Sequence, residues 1–177
     1  MRVFLYFIVY SFIGFLLETG YSWVTTGGFV EKKCFVFSLL CPVYGIGALS
    51  ILFCTGKMAE HPLAVFFVGA ITATVVEYLV GLFYLAIFGL RIWNYSKMPF
   101  NIQGHVCLLF TFFWGLLSLL LVYVVHPTIK QYTSLVSPTM CTVLLLLFIL
   151  DAVFSTYILL KYHQKKALNI TWLLHHS

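Results

Sequence analysis

Residues 62–89 read PLAVFFVGAITATVVEYLVGLFYLAIFG, an unbroken apolar run with one ionisable carboxylate, Glu77, near its middle. A helix rises about 1.5 Å per residue, so a run of this length outreaches the roughly 30 Å hydrocarbon layer of a bilayer. Soluble core helices have no need of such length with so little polarity. The stretch therefore predicts a transmembrane helix, and the rest of the chain follows the same pattern.

Comparable runs fall at about 3–24, 36–55, 106–126 and 138–160. With 62% hydrophobic residues, 8% charged residues and a mean hydropathy of +1.03, a soluble fold is excluded. The expected class is all-α: a polytopic membrane protein of about five transmembrane helices. Residues 1–162 form a single transmembrane domain, followed by a short cytoplasmic or interfacial tail over 163–177. The first run carries Glu18 and lacks a small-residue cleavage pattern followed by a polar chain, so it is expected to be a retained helix rather than a signal peptide. In the tail, Lys165 and Lys166 precede Ala167, Leu168, Ile170, Trp172, Leu173 and Leu174. That pattern suits an amphipathic segment at the interface, and equally a disordered tail.

The basic residues orient the chain. With the N-terminus outside, the inner segments hold Lys32, Lys33, Arg91, Lys97, Lys161, Lys165 and Lys166, while the outer ones hold Arg2, Lys57 and Lys130. The excess on one side predicts N-out, C-in. The net charge of +5 is mostly this topology signal, with some attraction to anionic headgroups. The basic residues form no patch with interleaved aromatics, so nucleic acid is not an expected partner.

Three acids lie inside these runs without an accompanying Lys or Arg: Glu18, Glu77 and Asp151. A charge at mid-bilayer costs roughly 2.5–3.5 kcal/mol on insertion scales, so such acids are candidates for a substrate or ion path. At helical spacing Glu18 is flanked by Ser11, Gly14, Phe15, Tyr21 and Ser22, and Glu77 by Ala70, Ala73, Thr74, Gly81 and Tyr84. These mostly small or hydroxylated faces suit close helix packing. Asp151 has Ser155 one turn on, but its other neighbours, Leu147, Phe148 and Phe154, are bulky. The plainer alternative for each acid is a protonated carboxyl bonded to a neighbouring helix, serving assembly alone.

Two segments interrupt the apolar runs. Pro42, Tyr44, Gly45 and Gly47 suggest a broken helix in the second span. Asn94, Tyr95, Ser96, Asn101, Gln103 and Gly104 form a polar loop leading into the fourth, a candidate inner gate. Glu18 precedes Gly45 by the same 27 residues that separate Glu77 from Gly104, a spacing compatible with a tandem parallel hairpin repeat.

The five cysteines, Cys34, Cys41, Cys54, Cys107 and Cys141, show no CxxC spacing, and four of them fall in or at the edges of apolar spans, where Cys behaves as a small hydrophobe. The histidines, His61, His105, His126, His163, His175 and His176, belong to no HExxH or other zinc pattern, so neither a metal nor a cofactor is expected.

Four stretches carry a resemblance: FIGFLLETGYSW at 12–23, CPVYGIGAL at 41–49, VEYLVGL at 76–82, and RIWNYSKMPFNIQGHVCLLFTFFWGLLSLLLVYVVHP at 91–127. The chain resembles, over about residues 4–160, the CmpB-like bacterial family of type IV ABC-transporter permeases. Where that family usually has Trp-Asp-Tyr-Ser, this chain has Trp93-Asn94-Tyr95-Ser96; where it often has Gly-Arg, this chain has Gly104-His105. The resemblance implies a permease subunit in the bacterial cytoplasmic membrane and identifies no cargo; taken with the embedded acids, the leading expectation is a non-enzymatic permease-like subunit moving a small solute or cation. No GxxxxGK[ST] motif occurs in the chain, so any ATPase would be a separate chain, and a homo-oligomer or a partner membrane subunit would complete the path. Two other functions fit the residues: a non-transporting regulator or assembly factor whose acids pair with a partner's helices, and an enzyme on lipid-linked substrates using Glu18 and Glu77 as acid and base.

Overall fold

Seven apolar side chains of the third span, Leu63, Phe67, Ile71, Val75, Leu79, Phe83 and Ile87, recur every four residues, and all are exposed. Opposite them runs a buried stripe at the same interval: Gly69, Ala73, Glu77 and Gly81. The helix thus turns its large apolar side to lipid and its small side, with the acid, to protein. Without a hydrophobic drive between helices in lipid, close approach across small residues supplies the attraction.

The computed structural model describes residues 1–26, 34–133 and 135–169. Its helices are α1 Arg2–Thr26, α2 Pro42–Thr55, α3 Pro62–Phe88, α4 Leu108–Leu120, α5 His126–Thr133 and α6 Pro138–Tyr162. Helices α4 and α5 join through a wide π turn at Leu121–Val125. Pro127 lies just beyond this turn, and a proline's missing N–H forces such local adjustment. Helices α1, α2, α3 and α4 pack in sequence, each against the next, while α6 touches α1 and α3 only sparsely.

Four segments among the described residues are long and apolar enough to cross a membrane: Arg2–Thr25, Pro62–Phe88, Leu108–Thr133 and Pro138–Tyr162. The expected second span, 36–55, is different. Its helix has 14 residues and starts at Pro42, about 21 Å of rise and too short to cross alone. Pro42 does not break a helix but begins one, at a position where its missing N–H costs nothing. Gly45 and Gly47 lie inside intact helix, and the irregular backbone is upstream, at 34–41. The fourth span also runs further than expected, to Thr133 rather than 126.

Glycines mark the tightest helix crossings. A Cβ on Gly69 would meet the Ser118 side chain at 2.3 Å, and one on Gly115 would meet the Phe66 ring at 2.5 Å, so α3 and α4 are locked face to face. A Thr74–Thr111 hydroxyl bond of 3.0 Å joins the same pair. Near the start of α1, Tyr10 Oη and His126 Nδ1 share a hydrogen bond of 2.7 Å that ties α1 to α5.

The chain from Gly89 to Cys107 folds over the end of α3. It contains a two-stranded hairpin, β1 Asn101–Ile102 and β2 Val106–Cys107, paired antiparallel. Gln103 and Gly104 both take positive φ at its turn, closed by the His105 amide donating to the Ile102 carbonyl. After α6, His163 Nδ1 lies 3.0 Å from the Phe88 carbonyl oxygen, and a 3-10 turn at Lys165–Leu168 buries Ala167 and Leu168. The tail residues 170–177 lie outside the described residues.

Candidate functional site

The donors of the two glutamates meet; those of the aspartate are elsewhere. Glu18 of α1 accepts a hydrogen bond of 2.5 Å from the hydroxyl of Tyr44, in the first turn of α2. That contact depends on Gly14, one turn before Glu18, where any Cβ would overlap the root of the Tyr44 side chain. The small face read from the sequence is therefore the surface on which Tyr44 rests. Glu77 is 5% exposed and accepts at both oxygens, from Tyr95 Oη at 3.0 Å and from Trp114 Nε1 at 2.8 Å.

The Tyr44 and Trp114 rings meet edge to face at 5.8 Å and so link the donors of the two carboxyl groups. Tyr95 stacks on Phe110 at 4.7 Å, and Tyr21 of α1 meets the same ring at 5.9 Å. Thus α1, α2, α3, α4 and the loop after α3 each contribute a group to one cluster. Its chemistry is carboxylate oxygen facing aromatic hydroxyl and indole donors. For Glu77, all of these donors are neutral. Burial, reinforced by the Glu77 charge, pushes the Tyr95 hydroxyl well above the usual tyrosine range, so Tyr95 stays a donor.

Asp151 has another task. Its two oxygens accept from the backbone amides of Phe37, at 3.2 Å, and Ser38, at 2.7 Å. Ser155 donates to Asp151 at 3.0 Å and accepts from the Val36 amide at 2.9 Å. Three consecutive amides of the non-helical segment before α2 are thereby satisfied by side chains of α6. Irregular backbone at membrane depth needs such partners, and the serine one turn after Asp151 is part of the device.

The polar loop largely satisfies itself. Asn94 Oδ1 accepts from the Ser96 amide and hydroxyl, at 3.0 and 2.6 Å. Asn101 donates to the Met98 carbonyl at 2.8 Å and accepts from the Gly104 amide at 3.0 Å. Gln103 Oε1 accepts from Tyr78 of α3, while Arg91 donates to the Gln103 carbonyl. Of the loop's six candidate residues, Tyr95 reaches an acid. The others hold the shape that delivers it, so the expected surplus of recognition groups is mostly consumed inside the loop.

His105, also in this loop, sits against Gly81, one turn beyond Glu77 on α3, where a Cβ would lie 2.6 Å from its ring nitrogen. Burial first, then the Arg91 charge, holds its imidazole below the usual histidine range. Trp93 Nε1 donates to the His105 carbonyl at 2.7 Å.

The spacing match between halves does not extend to conformation. Gly45 is helical and packs on Ser11 and Phe7, whereas Gly104 occupies a left-handed turn. What the halves share is an acid on a small helix face receiving an aromatic donor from the helix that follows.

Trp114 was missed in the sequence as a partner of Glu77. A tryptophan in an apolar run carries one N–H that must find an acceptor, but Glu77 and Asp151 lie equally far from it, 37 residues to either side, so spacing alone does not choose between them. Among the described residues, no group of three or more His, Cys, Asp or Glu is placed to hold a metal. A family profile described as "Putative ABC-transporter type IV" matches residues 5–156. No curated protein and no solved structure matches.

Proposed function

Since the chain belongs to the type IV ABC-transporter family, we propose that it is a permease-like membrane subunit that moves a small solute or cation through a path containing Glu18 and Glu77. ATP hydrolysis comes from a separate chain. The subunit lies N-out, C-in in a bacterial cytoplasmic membrane, and a second copy or a partner subunit completes the path.

One observation carries the proposal: two carboxylates from different intramembrane helices share one aromatic cluster, and Glu77 is held by neutral donors alone. A carboxylate buried in such a cluster among neutral donors favours uptake of a proton or another cation. Both Glu77 oxygens already have partners within the chain, which weighs against a regulator whose acid awaits a partner's Lys or Arg. Asp151, occupied by two amides of the segment before α2 and by Ser155, is a structural carboxyl beside the path rather than a member of it. The Asn94–Gly104 loop serves as the inner gate through Tyr95, the one side chain by which it grips Glu77.

The test uses proteoliposomes containing the chain together with subunits retained in mild detergent, with proton and alkali-cation flux read by entrapped dyes. Glu77→Gln should keep the fold and lower flux at least about tenfold, the equivalent of roughly 1.4 kcal/mol in the transport barrier. Undiminished flux in a folded Glu77→Leu protein would refute the path.

A further inference from the structure

Cys34 and Cys41, seven residues apart, bring their sulfurs to 2.7 Å. Neither is in a disulfide. The contact is imposed from outside the pair. Between the two cysteines, the amides of Val36, Phe37 and Ser38 are fixed by Ser155 and Asp151 of α6. Beyond them, the Cys41 amide donates to the Ser11 carbonyl of α1 at 3.0 Å, and Cys41 caps the start of α2. Two helices and a pinned segment therefore hold the thiols only a small step from a disulfide's roughly 2.05 Å separation.

The two sulfurs are not equivalent. Cys41 is 2% exposed, whereas Cys34 is half-buried and lines a cavity of about 30 Å³ with Tyr84, Leu90, Ile92 and Lys165 among its walls.

We propose that Cys34 and Cys41 form a reversible dithiol–disulfide site, oxidised by a low-molecular-weight disulfide. The Cys34 thiolate attacks the reagent's S–S bond, forming a mixed disulfide and releasing one thiolate. The Cys41 thiol gives up its proton and attacks Cys34 Sγ, expelling the second thiolate. One protein S–S bond forms; two S–H bonds are lost; the reagent is reduced to two thiols, which take up the two protons. The bridge fastens the α6-anchored segment to the first turn of α2, three residues before Tyr44, whose hydroxyl holds Glu18. It is thus a covalent brace behind one side of the carboxylate cluster. The site itself stands on the sulfur geometry and does not depend on the transport proposal.

The experiment takes the full chain in mild detergent across a series of oxidised-to-reduced glutathione ratios, with acid quench, alkylation and peptide mass mapping. Cys34 and Cys41 should be recovered as one linked peptide, at an oxidised fraction at least about tenfold below that needed to modify the exposed Cys54, because the second thiol is present at a high effective concentration. C34S and C41S should each abolish the linked species. Phenylarsine oxide supplies a second readout: one bridging adduct per wild-type chain and none in either serine variant. A folded wild-type chain in which neither bridge forms, with both thiols alkylating independently, overturns the proposal.

Discussion

Replacing Gly14 with alanine puts a single methyl between α1 and α2. Its carbon would lie 2.1 Å from Cγ and 2.2 Å from Cβ of Tyr44, where ordinary contact begins at 3.4 Å. The shortfall is roughly 1.3 Å, and the atoms struck are at the base of the side chain, so rotation about χ1 cannot clear them. The helices must separate, and the Tyr44 hydroxyl is drawn away from Glu18. Overpacking costs about 1–3 kcal/mol, and loss of the hydrogen bond adds about 1 kcal/mol. For a chain of this size the combined loss lowers Tm by roughly 5–15 °C. The assay is thermal unfolding in mild detergent, followed by circular dichroism. Gly20→Ala is the control, because a Cβ there meets nothing within 4 Å; it should leave Tm unchanged or raise it. A double variant, Gly14→Ala with Tyr44→Gly, should be less destabilised than the two single variants add up to, since the Cβ and Cγ that the methyl strikes are then both absent. If Gly14→Ala is as stable as Gly20→Ala, the α1–α2 crossing and the placement of Tyr44 on Glu18 are both refuted.

Asp151→Leu strips acceptors from the Phe37 and Ser38 amides, at about 1–3 kcal/mol for each amide left unmet; protease or hydrogen-exchange probing should show the 34–41 segment opening, and unchanged protection there would contradict its role as a cap. For His105 the sign follows from its lowered pKa. The unfolded chain takes up the imidazole proton first as pH falls through the ordinary histidine value of about 6.5, so the folded state loses stability on acidification from neutral pH. His105→Gln should reduce the Tm loss between pH 7.5 and 5.5, and an identical loss in the variant would remove His105 as its source.

Much of α3 was legible in one dimension. Its four-residue stripes of large and small side chains are a property of local spacing, and they alone place Glu77 on the packed face. The start of α2 was also signalled, because proline favours the first helical turn, yet the apolar run on both sides of Pro42 reads the same whether helical or not. Hydropathy measures where a segment lies, and cannot distinguish a helix from extended backbone whose amides are satisfied by another helix.

The sequence by itself determined that this is a multi-span membrane protein, that Glu18, Glu77 and Asp151 fall in its long apolar runs, and that Glu18 and Glu77 share a small-residue setting that Asp151 lacks. Each follows from composition or from side chains within one or two turns. Only the tertiary structure decided which groups reach those acids: Tyr44 to Glu18 across 26 residues, Trp114 to Glu77 across 37, and the Phe37 and Ser38 amides to Asp151 across more than a hundred. It also turned two unremarkable cysteines into a contacting pair. The physical reason is that helical periodicity fixes the face a side chain occupies, whereas its partner depends on how separate helices cross and where irregular backbone must find its hydrogen bonds.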